Sequence, residues 1–385
     1  VAIVGFVGAM VGIERSVLPL VAGADFGLAS AAAATSFIVA FGPSKALANL
    51  FAGRLSERIG RRSVLLAGWL VGLPVPFLVI AAPSWAWIVA ANMLLGINQG
   101  LCWSMTVNMK ADLAGRPRRG LVIGLNEASG YVGVGLAAFA AGVVGDRLGL
   151  RPEPFYLMIA IALAGTALSL LARDTAGHVA IESGGRAVAV APPSLTRAFT
   201  AGTWRRRDLS AFSLAGLITN LTDGVAWGIV PLALAAGGLP VGDIAVVAAL
   251  YPISWGLLQV VTGSASDRFG RLPLIVAGLL VQGLAVALFA AGGFGPAMLA
   301  AVLLGFGTAL AYPTLIAAVA DAVAPVERAT AIGVYRFWRD SGTLVGALGA
   351  ALIADALGFE AAFLVSGLVA ALTALVVAVA GRQSA

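Results

Sequence analysis

The stretch Gly53-Arg54-Leu55-Ser56-Glu57-Arg58-Ile59-Gly60-Arg61-Arg62 recurs as Gly263-Ser264-Ala265-Ser266-Asp267-Arg268-Phe269-Gly270-Arg271. Each copy lies between two long apolar runs, and the copies start 210 residues apart, more than half of the 385-residue chain. A charged loop repeated at that interval reads as an internally duplicated membrane protein whose function lies between its halves.

Composition supports this reading. Hydrophobic residues make up 60% of the chain and charged residues 11%, against about 25% charged in an ordinary soluble domain. So much apolar surface needs lipid as its solvent. Twelve segments are apolar and long enough to cross a hydrocarbon core of about 30 Å: 1–22, 31–54, 63–82, 84–110, 119–145, 154–172, 208–236, 242–263, 272–292, 295–320, 328–354 and 360–381. The expected fold is an all-α polytopic membrane protein of two six-helix bundles, 1–172 and 208–385. They are joined by a linker, 173–207, in which Arg, Ser, Gly, Thr and Pro192-Pro193 replace the apolar run. The later linker, with Leu195, Phe199 and Trp204 beside Arg197 and Arg205-Arg206-Arg207, fits either a short helix on an anionic leaflet or a flexible tether with a basic end.

The formal charge of +6 could suggest nucleic acid, but the placement of the basic residues excludes that partner. The loops at 54–62, 110–119, 173–207, 268–271 and 328, with the tail at 382, hold 18 of the 24 Lys and Arg residues. The opposite side keeps Arg147 and Arg151. By the positive-inside rule the basic side, with both termini and the linker, is expected in the cytoplasm, and the chain in the inner (plasma) membrane. Cys102 is the only cysteine and His178 the only histidine, so no disulfide, zinc site or nucleophile–base constellation is expected. A first span beginning at Val1 without an initiator Met suggests a trimmed start, and Glu14-Arg15 interrupts the apolar run as no cleavable signal peptide would.

The duplication extends beyond the loop. Asp112 and Asp321, Gly124 and Gly333, Gly133 and Gly342, Asp146 and Asp355, and Gly149 and Gly358 all recur at an offset of 209. Pro19 and Pro231 relate the first and seventh spans at 212.

On these residues the chain resembles the major facilitator superfamily of secondary transporters, whose signature between the second and third helices is G-x-L-x-D-R-x-G-R-[RK]. The first copy matches with Glu57 for the Asp, and the second with Asp267 in place and Ala265 for the Leu. The resemblance covers essentially the whole chain. It implies a monomer with a central cavity, gated by the loop residues Gly53, Glu57, Arg58, Gly60, Arg61, Gly263, Asp267, Arg268, Gly270 and Arg271. A purely physical reading makes the same residues a latch, in which glycines allow tight turns, a carboxylate caps a neighbouring helix and arginines anchor the loop. Two family patterns are missing. Asn92, Gly96 and Gly100 stand where proton-coupled members carry R-x-x-x-G-x-x-x-G, and Gly130-Tyr131-Val132-Gly133-Val134-Gly135 replaces the Gly-Pro of drug–proton antiporters. The strings around Glu127 and Arg336 look like those of poorly characterised prokaryotic permeases.

An ionisable residue at the bilayer centre costs at least about 2.5–3.5 kcal/mol, which makes such residues functional candidates. Eight lie inside spans: Glu14, Arg15, Lys45, Glu127, Asp223, Arg336, Arg339 and Asp340. Glu127 and Arg336 are repeat-related and each about 12–13 Å from the nearer loop; the resemblance implies that both helices line the central cavity, so the two are expected to face each other across it. Arg339 and Asp340 can pair locally, which makes Arg336 the better anion ligand; Lys45 and Arg15 add positive charge. Glu127 leads the proton-carrier candidates, followed by Glu14, Asp223 and Asp340. Asn98, Gln99, Trp103, Asn220, Tyr312, Tyr335 and Trp338 are expected to complete the cavity, with interhelical packing as their alternative role. The glycines of 130–135 follow no strand, so they form no nucleotide loop, and close helix packing is their expected role.

The expected function is secondary active transport of a small solute by alternating access, coupled to protons and directed outward, without cofactor, metal or catalytic activity. The export lean comes from the resemblance. Proton-coupled uptake of an organic anion is the alternative, and a non-transporting membrane sensor or scaffold is the reading from another class.

Overall fold

A computed structural model describes residues 2–175, 195–323 and 328–382. The linker stretch 176–194, with His178 and Pro192-Pro193, lies outside them. All regular structure in the described residues is helical. Before the linker come α1 (Ala2–Ala24), α2 (Ala31–Ala34), α3 (Ser36–Ile59), α4 (Arg61–Gly72), α5 (Val75–Ile80), α6 (Trp85–Leu148) and α7 (Glu153–Leu171). After it come α8 (Leu195–Thr200), a π turn at Ala201–Arg205, α9 (Arg207–Gly228), α10 (Val230–Ala236), α11 (Val241–Phe269), α12 (Arg271–Leu288), α13 (Phe294–Asp321), α14 (Arg328–Leu357) and α15 (Phe359–Arg382).

Ten of these segments are long and apolar enough to cross a membrane, against the twelve expected. The two missing from that ten are the expected spans at 31–54 and 84–110. Both are helical, in α3 and the first arm of α6, but Pro43, Lys45 and Asn49 thin the apolar run of one, and Asn92, Asn98 and Gln99 that of the other. The helical run of α6 doubles back on itself. Lys110 Nζ donates to Asn126 Oδ1, and Trp103 Nε1 donates to Glu127 Oε1 at 2.8 Å. Twenty-four residues of straight helix would hold that second pair about 36 Å apart.

Small residues set how closely the helices approach. A Cβ on Gly12 of α1 would sit 2.0 Å from the Val134 carbonyl oxygen on the second arm of α6, and one on Gly8 would sit 2.2 Å from that of Gly130. After the linker, a Cβ on Gly342 of α14 would sit 2.0 Å from the Leu217 carbonyl oxygen of α9, and one on Gly224 would sit 2.3 Å from that of Thr343. Backbones packed this tightly admit no side chain. At the repeated loops, Gly60 and Gly270 adopt φ 84° and 87°, a region open to glycine, and so let one helix end and the next begin within a single residue. Arg62 then donates its backbone N–H to Asp174 Oδ2 at 2.9 Å, and Arg271 Nε bonds Asp321 Oδ2 at 3.2 Å. Arg58 closes the last turn of α3, and the Arg268 guanidinium lies 5.7 Å over the Phe269 ring. The side chains of Glu57 and Asp267, and the surroundings of Gly53 and Gly263, lie outside the described ones.

On the face that carries the short loops, the two halves of the chain close on each other through a repeated device. Asp355, at the end of α14, accepts from Ser30 Oγ at 2.7 Å and from the backbone N–H groups of Ala31 (2.6 Å) and Ala32 (3.1 Å) at the start of α2. Its repeat mate Asp146, near the end of α6, accepts from the Gly242 N–H at 3.2 Å at the start of α11. Each carboxylate thus meets the positive end of a helix in the other half.

Gly12→Leu and Gly342→Leu should each cost about 1–3 kcal/mol or more by overpacking. Gly349→Ala, which meets nothing within 4 Å, should leave the unfolding temperature in detergent unchanged or raised. In a Thr343→Cys background, a position that lines the cavity between the halves, Asp146→Asn with Asp355→Asn should raise labelling by an impermeant maleimide applied from the short-loop face several-fold; unchanged labelling would show that these carboxylates do not hold that face closed.

Candidate functional site

A cavity of about 70 Å³ lies between the two halves. At about 10–15 Å³ for each water it admits, it has room for a few waters or one small solute. Its charged lining is Arg15 from α1, Lys45 from α3, Asp223 from α9, and Arg339 and Asp340 from α14. Arg15 and Lys45 come from before the linker, the other three from after it. Gln99, Trp103, Asn220 and Tyr312 also line it.

These charges are compensated unequally. Arg339 donates through Nε to Asp340 Oδ1 at 2.9 Å and through Nη1 to the Tyr312 hydroxyl at 2.8 Å, and its guanidinium lies 5.1 Å over the Tyr312 ring. Asn49 Nδ2 reaches Asp340 Oδ2 at 3.5 Å from the other half of the chain. Arg339 and Asp340 are therefore a closed pair. Asp223 Oδ1 accepts from Trp227 Nε1 at 2.8 Å and from the Tyr251 hydroxyl at 3.0 Å, both neutral donors. The Arg15 guanidinium stands 4.6 Å over Phe41 and 5.3 Å over Phe37, with Nη1 unpartnered. Lys45 Nζ stands 5.7 Å over Trp103 and 5.8 Å over Phe41. Neither cation makes an ion pair among the described residues. Aromatic faces stabilise each by roughly 0.5–2 kcal/mol, far less than a full counter-charge would.

An aromatic wall crosses between the halves beside these charges. Tyr131 stacks on Trp255 with ring centres 3.6 Å apart; Trp103 lies 5.2 Å from Tyr131, and Tyr312 5.2 Å from Trp255. The wall continues through Tyr251 to Trp227 at 5.7 Å. Tyr131, Trp227, Tyr251, Trp255 and Phe41 were not singled out from the sequence. Their available signal was the i, i+4 spacing of Asp223 with Trp227 and of Tyr251 with Trp255.

Other expected cavity residues lie elsewhere. Arg336 does not line the cavity and makes no ion pair with Glu127; its Nε is buried without a partner. Glu127 stands behind the Trp103 indole, with Asn126 Nδ2 at 3.3 Å from Oε1 and with Oε2 buried and unpartnered. Glu14 is 1% exposed, and neither of its oxygens is hydrogen-bonded. Asn98 ties α6 to the Gly68 carbonyl of α4 at 2.9 Å. Tyr335 packs against Gly216. Trp338 faces the linker, donating to Thr203 Oγ1 at 3.1 Å beside Phe199, whose ring centre is 6.0 Å away. Gln99 and Asn220, which do line the cavity, also donate to the Val7 carbonyl at 2.8 Å and to the Thr343 hydroxyl at 3.3 Å.

A duplicated helical membrane fold with a charged cavity at its centre is the architecture of a secondary transporter. The Major Facilitator Superfamily profile matches residues 2–209 and 212–384, and the chain belongs to that family. It is 25% identical over 352 residues to the uncharacterized MFS-type transporter STM4428 of Salmonella typhimurium, covering 86% of this chain and 83% of that one. A shorter match, 30% identical over 118 residues, covers 30% of this chain and 24% of the putative metabolite transport protein YfiG of Bacillus subtilis. Among solved structures, the nucleoside transporter NupG superposes with a TM-score of 0.77 at 14% identity, covering 99% of this chain and 98% of its own. A POT family transporter in complex with 5-aminolevulinic acid gives 0.76 at 14%, covering 99% and 96%. At that identity the likeness is one of fold.

Asp340→Asn leaves Arg339 buried without its counter-charge and should destabilise the protein by about 3–5 kcal/mol. Adding Arg339→Met should restore most of the loss in thermal unfolding; a double variant no more stable than the single one would contradict the closed-pair assignment.

Proposed function

We propose that this secondary transporter couples the movement of a small charged solute to protons, with 1–172 and 208–385 rocking as two bodies about the central cavity. The observation that carries this reading is the convergence of five ionisable side chains, contributed from both sides of the linker, on one cavity between them. Such residues are expensive in a membrane interior and mark substrate and proton paths. Glu127 is the proposed proton carrier, because its Trp103 hydrogen bond joins it to the cavity wall while its second oxygen remains unpartnered. With the basic loops and both termini toward the cytoplasm of an inner membrane, the short-loop face, fastened at Asp146 and Asp355, points outward.

Direction follows from how solute and proton share the site. A solute with a cationic group competes with a proton for a carboxylate, giving exchange and hence export against an inward proton gradient. A purely anionic solute held by Arg15 and Lys45 would instead travel with the proton as uptake. The two unpaired cations favour an anionic group on the solute, which keeps that second reading in view.

The test uses purified protein in proteoliposomes loaded with a pH-sensitive dye and exposed to a panel of small carboxylates, amines and amino acids. Protein-dependent lumenal pH change with at least one solute class is expected. Glu127→Gln should cut it tenfold or more while solute exchange without a pH gradient persists. Solute flux that never moves protons in the wild-type protein would sink the coupling.

A further inference from the structure

Arg15 and Lys45 line the cavity over aromatic faces with no ion pair among the described residues, Glu14 acting on the first and Asp340 on the second only from beyond ion-pair distance, and Asp223 lines it with neutral donors alone, both on Oδ1. Among the described residues Asp223 Oδ2 has no hydrogen-bond partner. Arg15 and Lys45 both act electrostatically on Asp223, yet neither comes within ion-pair distance of it. The opposed charges are thus separated by a gap, and the cavity fills it. Arg339 and Asp340, by contrast, satisfy each other and offer no net charge to a ligand.

We propose that this gap binds a small zwitterion of amino-acid type. Its carboxylate takes Arg15 and Lys45, and its ammonium takes Asp223 Oδ2 against the indole of Trp227. The inference rests on the transport reading of the same cavity and narrows its solute class. A solute with only an anionic group would satisfy the two cations and leave the Asp223 carboxylate facing it with like charge. A solute with only a cationic group would leave Arg15 and Lys45 without a counter-charge. A zwitterion compensates both sides, and partners for buried charges are where recognition energy is largest. Aromatic walls add affinity for an ammonium group and cost little to pre-order. The volume of about 70 Å³ limits the solute to a few heavy atoms beyond its two charged ends.

The full-length protein in detergent is titrated with glycine, L-alanine, L-serine, β-alanine and 4-aminobutanoate, and with propanoate and ethylammonium as single-charge partners of alanine. Binding is read by thermal shift and by calorimetry. At least one zwitterion should stabilise the protein and bind tenfold or more tightly than either single-charge analogue. Asp223→Asn should bring that zwitterion down to the level of propanoate, and Lys45→Gln should weaken it about tenfold. Unliganded unfolding temperatures near the wild-type value certify both variants, and Arg15→Lys is the substitute if either fails to fold. Equal binding of propanoate or ethylammonium, or no response to any zwitterion, overturns the proposal. Binding of the zwitterion in protein whose proteoliposomes move no protons would keep this solute class and defeat the coupling instead.

Discussion

Charge inside a low-dielectric interior must be compensated locally, and the arrangement of the helices around the cavity answers that requirement. The guanidinium of Arg339 is held by its neighbour Asp340 and by Tyr312, so three groups on two helices fix one corner. Asn49 then draws α3 toward Asp340 across the middle of the molecule. Where no counter-charge comes within ion-pair distance, the chain supplies ring faces, as Phe37 and Phe41 do for Arg15. These are weaker partners than a carboxylate and leave the cation able to change its company. The cavity therefore combines a settled pair with unsettled charges, and only the latter have anything to offer a solute.

Internal duplication supplied the framework, but the two copies have diverged where the chemistry is. The close crossing of α1 with α6 is repeated by α9 with α14, glycine for glycine at Gly12 and Gly224 and at Gly133 and Gly342. The wall residues Trp103 and Tyr312 keep equivalent places, yet one holds Glu127 and the other Arg339, which is not the repeat mate of Glu127. A backbone plan can be copied without change because packing depends on shape alone. A binding site copied without change would place like charges opposite each other, so divergence there is what makes a cavity able to distinguish solutes.

How much of this was legible in the sequence depended on which kind of information each residue carries. The fold class and its helices rest on apolar length and a repeated loop, both one-dimensional properties. The segment around Lys45 and the one around Asn92 and Asn98 were read as spans and are helical, although polar residues there thin the apolar signal. For the site, type and depth were readable while helical phase was not. Lys45, Arg15 and Asp223 reach the cavity, whereas Arg336, at similar depth in α14, does not. One step of 100° around a helix separates lining from packing, and nothing in a single sequence fixes that angle. Trp338 shows the same limit, since its partner is the linker at Thr203, a contact between segments 135 residues apart.

The paired carboxylates at Asp146 and Asp355 bear on the kind of motion available. They flank the molecule at two separate seams, one between α6 and α11 and the other between α14 and α2. Undoing one seam alone would tilt the halves about the other, which stays fastened, and would give no clear passage to the centre. In the proposed rocking of the two halves, a passage on that side therefore requires both seams to part. A transporter closed at two seams stays sealed when one of them loosens, and so does not leak through it.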